Sequence, residues 1–181
     1  MSPLSADLGD GAILRRLTLE DLGSIWALVD AERDRVGEWM PWVEATKTID
    51  DERRWLEGVL ADERNLEGCG MFVAGGAYVG GIGLMRDPFG IMGEIGYWIG
   101  SAHEGRGLVT EATRALIEIG FGELGLHRIV IRAGVDNARS RAIPERLGFT
   151  LEGHAREEGR GSSGFYDIVV YGLLDREWPR T

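Results

Sequence analysis

Apolar and polar positions alternate along this chain with a period that changes several times. AILRRL (12–17) reads as a strand. From 18 to 36 the spacing is helical. Thr18 stands as a cap, Glu20 and Asp21 fall in the first turn, and Leu22, Ile25, Trp26 and Val29 repeat on one face. Pro41 stops that helix from running on through GEWMPWVEA (37–45). A second helix is predicted over 50–65, carrying Trp55, Leu56, Val59 and Leu60 on one side. The period then drops to two. CGMFVAGG and AYVGGIGLMR form a hairpin around Gly75 and Gly76. IMGEIGYWIG (91–100) alternates, with Ile91, Ile95, Tyr97 and Ile99 pointing one way and Glu94 and Trp98 the other. Residues 107–124 return to helical spacing, with Val109, Ala112, Leu116 and Ile119 as the buried stripe. HRIVIRAGV (127–135) is a strand, and NARSRAIPERLGF (137–149) a short helix interrupted by Pro144. TLEGHAREEG (150–159) and FYDIVVYGLL (165–174) are the last two strands, on either side of RGSSG.

The order is therefore β-α-α-β-β-β-α-β-α-β-β. The strands at 91–100 and 127–135 are joined through a helix, so they should be parallel neighbours, while the hairpins are antiparallel. The fold class is α/β with a mixed (α+β) sheet, mostly antiparallel around a central parallel pair, and helices packed on its faces.

Composition narrows the functions open to such a domain. The chain has 181 residues, 44% hydrophobic and 28% charged, enough for one soluble domain over 1–181. No apolar run approaches the ~18 residues of a membrane span. The first residues lack the basic-then-apolar pattern of a secretory signal, and Cys69 is the sole cysteine, so a cytoplasmic home is expected. A net charge of −10 argues against free nucleic acid as a partner and favours a cationic one, although solubility alone also explains it. His103, His127 and His154 do not cluster, and no metal site is expected.

The stretch HEGRGLVTEATRA (103–115) asks for a ligand. A glycine-rich turn between strand and helix exposes backbone N–H groups, and the helix start adds partial positive charge, which together suit an anion. Gly105 and Gly107 permit the backbone to approach it closely, and Arg106 can add a charge-assisted contact. The run lacks the third glycine of a dinucleotide fingerprint and the Gly-Lys-Ser/Thr of a Walker A loop. By itself it reads equally as a tight turn with no ligand.

Taken with GEIGYWIG before it, and with GLHRIVIRAGVDNARSRAIPERLGFTLEG and YDIVVYGLL after it, the turn resembles the GNAT superfamily of N-acetyltransferases. The resemblance is strongest to the RimJ/RimL-type ribosomal-protein N-terminal acetyltransferases, and WMPW (39–42) is similar to their acceptor-side segment. The resemblance implies a strongly twisted GNAT-type sheet and acetyl-CoA as co-substrate. It also implies that the pyrophosphate of coenzyme A rests on the turn. The family pattern Gln/Arg-x-x-Gly-x-Gly/Ala falls on Glu104, Gly105, Arg106, Gly107, Leu108 and Val109. Gly107 matches, while Glu104 and Val109 depart from it. A carboxylate beside a pyrophosphate is unfavourable, so Glu104 is expected to point away or to be offset by Arg106.

The implied reaction moves an acetyl group from a thioester to a neutral primary amine. A backbone N–H around Trp98 or Ile99 would stabilise the carbonyl oxygen. Ser140 would donate to the leaving thiolate and Asn137 would bond the pantetheine arm, although Asn137 also reads as a helix cap and Ser140 as a solvated helix residue. Pro144 stands where many relatives carry a tyrosine acid. Glu94 is the candidate base, with Glu152 and Glu158 behind it, and water is an alternative. Trp39 and Trp42 flank Pro41 as candidate acceptor contacts. The remaining aromatics, Tyr97 and Tyr171 among them, read as core. The expected acceptor is a protein or peptide N-terminal α-amine, such as that of a basic ribosomal protein. A small amine (an aminoglycoside or a polyamine) and a non-catalytic acyl-CoA sensor are the alternatives. A homodimer is compatible with the chain.

Overall fold

The computed structural model of the protein describes residues 4–61, 66 and 68–179. Eight strands form one sheet in the order β1-β2-β3-β4-β5-β6-β8-β7. They are β1 (Ser5–Gly9), β2 (Ala12–Arg16), β3 (Cys69–Phe72), β4 (Tyr78–Arg86), β5 (Met92–Ile99), β6 (Arg128–Gly134), β7 (Thr150–Gly161) and β8 (Gly164–Leu174). The helices are α1 (Leu22–Ala31), α2 (Arg33–Gly37), α3 (Trp42–Ala45), α4 (Ile49–Ala61), α5 (Leu108–Gly122) and α6 (Ala138–Arg146). Among the described residues no helix is long and apolar enough to cross a membrane.

Every neighbouring pair is antiparallel except β5 and β6. That parallel pair is short. Met92, Gly93 and Glu94 pair with Arg128, Ile129 and Val130, yet β5 runs on to Ile99 and β6 to Gly134. Beyond Glu94, β5 keeps its bonds to β4, and β6 keeps its bonds to β8. The two strands therefore part, and the sheet opens at their C-terminal ends.

Apolar residues fill both faces. On one, α5 buries Leu108, Ala112, Leu116 and Ile117 against Leu84, Ile95, Ile129 and Tyr171. On the other, Leu22, Ile25, Val29, Leu56 and Val59 of α1 and α4 pack with Leu17, Phe72 and Tyr78. Each fully buried Leu or Ile contributes about 1.5–3 kcal/mol of transfer free energy.

Four expectations from the sequence are corrected. A strand, β1, precedes the first expected one. SADLG offers one fully buried side chain, Leu8, so its alternation is too short to register. The helix expected over 18–36 is broken into a 3-10 turn (Leu19–Asp21), α1 and α2, the backbone leaving helical geometry at Glu32. Ile91 lies outside β5 and is 55% exposed, so it does not share the buried face of Ile95. Finally, α6 runs through Pro144 without interruption. The expected helix over 50–65 is α4, and 62–65 lie outside the described residues.

Candidate active site

The open end of the sheet is a cleft of about 880 Å³. Gly105 and Gly107 sit at its edge with φ of +75° and +79°, in the left-handed region that glycine adopts without strain. The space where a Cβ would stand at either residue is empty. Gly107 caps α5, and no side chain caps it in turn. The first N–H groups of an α-helix have no intrahelical acceptor, so the α5 start presents free donors beside the cleft. An anion suits this cradle, and the two glycines leave room for a bulky one.

Glu104 does not point away, and Arg106 does not offset it. Arg106 reaches His103 Nδ1 instead, at 3.1 Å. The Glu104 carboxylate takes Arg35 Nη1 at 2.9 Å on one oxygen and pairs with Arg139 through the other. Arg35 also bonds Glu32 at 2.6 Å and the carbonyl oxygen of Ile99. Glu32 in turn accepts from the N–H and hydroxyl of Ser101, at 2.8 and 2.6 Å. One network thus ties α2 to the end of β5 and to the glycine turn.

Strand alternation sets Trp98 and Ile99 apart by the direction of their backbone N–H groups. The Gly100 N–H donates to Val79 of the neighbouring segment at 2.8 Å, and Trp98 stands opposite Gly81 of β4. The backbone N–H groups of Tyr97 and Ile99 therefore point the other way, into the gap left by β6. The Trp98 backbone faces β4, and its ring packs against Tyr78 and Trp42, with centroids 6.1 and 6.0 Å apart.

Across the cleft, Asn137 caps α6 by accepting the Ser140 N–H at 3.1 Å. Both residues line the cleft, so capping and ligand contact are compatible here. Pro144 lacks the N–H that would bond the carbonyl four residues earlier, and that carbonyl belongs to Ser140. The hydroxyl of Tyr97 fills the place, donating to the Ser140 oxygen at 2.9 Å. The Ser140 hydroxyl lies 3.5 Å from the same tyrosine oxygen. Burial raises the Tyr97 pKa, so the group stays a neutral donor. This is why α6 tolerates its proline.

The opposite wall is aromatic and charged. The Trp39 ring lies against Gly134 of β6, where a Cβ would come within 2.4 Å of it. Trp39 meets Tyr166 edge-on at 5.2 Å, and the Tyr166 hydroxyl donates to the Trp39 carbonyl at 2.6 Å. The tip of the β7–β8 hairpin is held by Ser162 N–H bonding the Gly37 carbonyl at 2.9 Å. Arg132 pairs with Glu94 at 3.3 Å and with Glu158 at 2.6 Å. Burial raises the Glu94 pKa, and the Arg132 charge pulls it partly back. Glu152 lies at the closed end of the parallel pair, bound to Arg128, which holds its pKa low.

Of the residues singled out in the sequence, Trp39, Trp98, Ile99, Glu104, Gly105, Gly107, Leu108, Val109, Asn137 and Ser140 all line this cleft. Glu94 stands one residue from the lining, Trp42 sits behind Trp98, and Arg106 faces outward from the turn. In the sequence Tyr97 reads as core, and nothing there singles out Arg35, Arg139 or Tyr166. Tyr97 had a readable signal, because a proline inside a helix leaves a carbonyl that needs a donor.

A sheet split between two parallel strands, with a glycine turn and a helix start on one side of the split and an aromatic wall on the other, suits an enzyme that takes an anionic ligand into the split. Residues 12–150 match the acetyltransferase (GNAT) domain family, and the chain belongs to it; it is an N-acetyltransferase that uses acetyl-CoA. The "Putative ribosomal N-acetyltransferase YdaF" of Bacillus subtilis (strain 168) is 37% identical over 170 residues, covering 91% of this chain and 92% of its own length. The ribosomal-protein-serine acetyltransferase of Escherichia coli (strain K12) is 27% identical over 152 residues, 83% and 85% of the two chains. In fold the chain also resembles RimL, a ribosomal L7/L12 α-N-protein acetyltransferase solved in complex with coenzyme A. That match has a TM-score of 0.86 at 20% identity and covers 94% of this chain and 98% of the other.

Proposed function

We propose that this enzyme acetylates the N-terminal α-amine of a protein or peptide, with both substrates bound together. The observation that carries this reading is the wall formed by Trp39 and Tyr166 beside Glu94 and Glu158. Aromatic faces give a peptide's first side chain an apolar surface, and carboxylates attract its ammonium group. The names of the two curated relatives, both ribosomal acetyltransferases, support the same class of acceptor.

Bound acetyl-CoA supplies the acetyl thioester. The open turn at Gly105 and Gly107, with the start of α5, suits its pyrophosphate, and Asn137 suits its pantetheine arm. The Ile99 N–H is the donor aimed at developing negative charge on the carbonyl oxygen. Ser140 is the donor for the departing sulfur. Glu94, made more basic by burial, takes the amine proton directly or through water. An α-amine, with a pKa near ~7.7–8.0, is partly neutral at pH 7, whereas a lysine amine near ~10.4 is not.

The test is a competition among acceptors, followed by thiol release from acetyl-CoA. It compares short peptides with a free N-terminal serine or alanine, N-blocked peptides with an internal lysine, and a panel of aminoglycosides and polyamines. The free-terminus peptides should have the highest kcat/KM. A small amine that wins by about tenfold, ~1.4 kcal/mol in the barrier, overturns the protein acceptor and leaves the acetyltransferase intact. Absence of thiol release with every acceptor on the panel would overturn the α-amine reading and place the acceptor outside these amine classes.

A further inference from the structure

We propose that Glu104 is an internal counter-anion of the phosphate cradle, and that Arg139 exchanges it for the phosphates of the incoming cofactor. The inference rests on residues 104–109 being the phosphate seat. A carboxylate at that seat is out of place unless something neutralises it, and two arginines from different elements do so. Arg35 comes from α2 and Arg139 from α6, so the carboxylate bridges the two sides of the cleft. The arginines are not equivalent. Arg35 is also held by Glu32 and by the Ile99 carbonyl, which fixes its position whatever Glu104 does. Arg139 is 82% exposed and reaches over to Glu104 from the first turn of α6.

A pyrophosphate carries more charge than a carboxylate and accepts a guanidinium through two parallel hydrogen bonds. Arg139 should therefore swing from Glu104 to phosphate, while Arg35 stays to screen the carboxylate left behind. Glu104 then works against phosphate binding twice. It competes for Arg139 before the cofactor binds, and it repels the phosphates afterwards. The cradle consequently binds coenzyme A less tightly than its donors allow, which speeds release of the product thiol.

Titration calorimetry of wild type, Glu104→Gln, Arg139→Gln and the double variant tests this. Coenzyme A is one ligand and acetyl-pantetheine, which has no phosphate, is the other. Glu104→Gln should bind coenzyme A about three- to tenfold more tightly at low salt, with the gain shrinking as salt rises. Its affinity for acetyl-pantetheine should not change. Arg139→Gln should weaken coenzyme A binding, and by a larger factor in the Glu104→Gln background. The exchange is overturned if Glu104→Gln binds coenzyme A no better than wild type, or if both ligands shift equally. Gly107→Glu separates this from failure of the seat itself. If that variant binds coenzyme A as wild type does, the phosphates lie elsewhere. If it loses binding while Glu104→Gln stays neutral, the seat stands and the Glu104 role falls.

Discussion

At Ser140 the architecture of α6 meets the proposed chemistry. Its N–H completes the Asn137 cap, its carbonyl accepts the Tyr97 hydroxyl, and its own hydroxyl remains at the cleft. The backbone contacts do not depend on the side chain, so Ser140→Ala should fold normally. Removing a donor used mainly as charge builds on the leaving sulfur lowers kcat and leaves ground-state affinity alone. We expect a fall of about tenfold to a hundredfold in kcat, from loss of a hydrogen bond to a charged group worth ~1.5–3 kcal/mol, with acetyl-CoA affinity unchanged. Single-turnover kinetics read the chemical step directly. An unaltered single-turnover rate would remove Ser140 from the reaction.

Helix α6 carries a proline at its seventh residue and still holds together, because another element completes it. Tyr97 of β5 supplies the donor that Pro144 withholds. This ties the α6 wall to the β5 wall across the split in the sheet. Tyr97→Phe should cost about 1 kcal/mol, the usual net worth of such a bond. The loss should shrink when Pro144→Ala is added, because the restored amide can then donate to the Ser140 carbonyl. Urea unfolding of the four members of this double-mutant cycle measures the coupling. Strictly additive effects would mean that tyrosine and proline do not share that carbonyl.

On the scale of the whole molecule, stability depends on carboxylates shifted in opposite directions. Glu52 on α4 is 3% exposed. Burial pushes its carboxyl from about 4.5 up to about 7, against the opposing charge of Arg33. Between those values the folded chain holds a proton that the unfolded chain has released. This contribution is complete below about pH 4.5 and is lost as pH rises through 7, about 3 kcal/mol in all. Asp21 behaves the other way. Burial opposes its charge, but hydrogen bonds from Arg15 and Thr18 prevail and hold its pKa low. Its contribution is present above pH 3.8 and is lost as pH falls through its depressed value. Stability should therefore peak in mildly acidic solution. Urea midpoints at pH 5, 6.5 and 8 should fall for wild type and stay nearly flat for Glu52→Gln. Parallel slopes would show that Glu52 is not the titrating group.

The sequence by itself determined the local elements and the glycine turn. Period-two and helical spacing are properties of neighbouring residues, so β2 to β8, α5 and α6 could be read from them, and Gly105 and Gly107 marked a left-handed turn before a helix. The resemblance carried by the segments around that turn extended this to the family. Tertiary structure decided what depends on residues far apart in the chain. Arg35 and Arg139 reach Glu104 across 69 and 35 positions. Tyr166 meets Trp39 across 127. The sequence placed β5 and β6 side by side, but their parting after Glu94 follows from each strand keeping its antiparallel partner, a competition of hydrogen bonds that no local pattern records. The same holds for Ile99, whose N–H is free because the strand that would have bonded it has turned away.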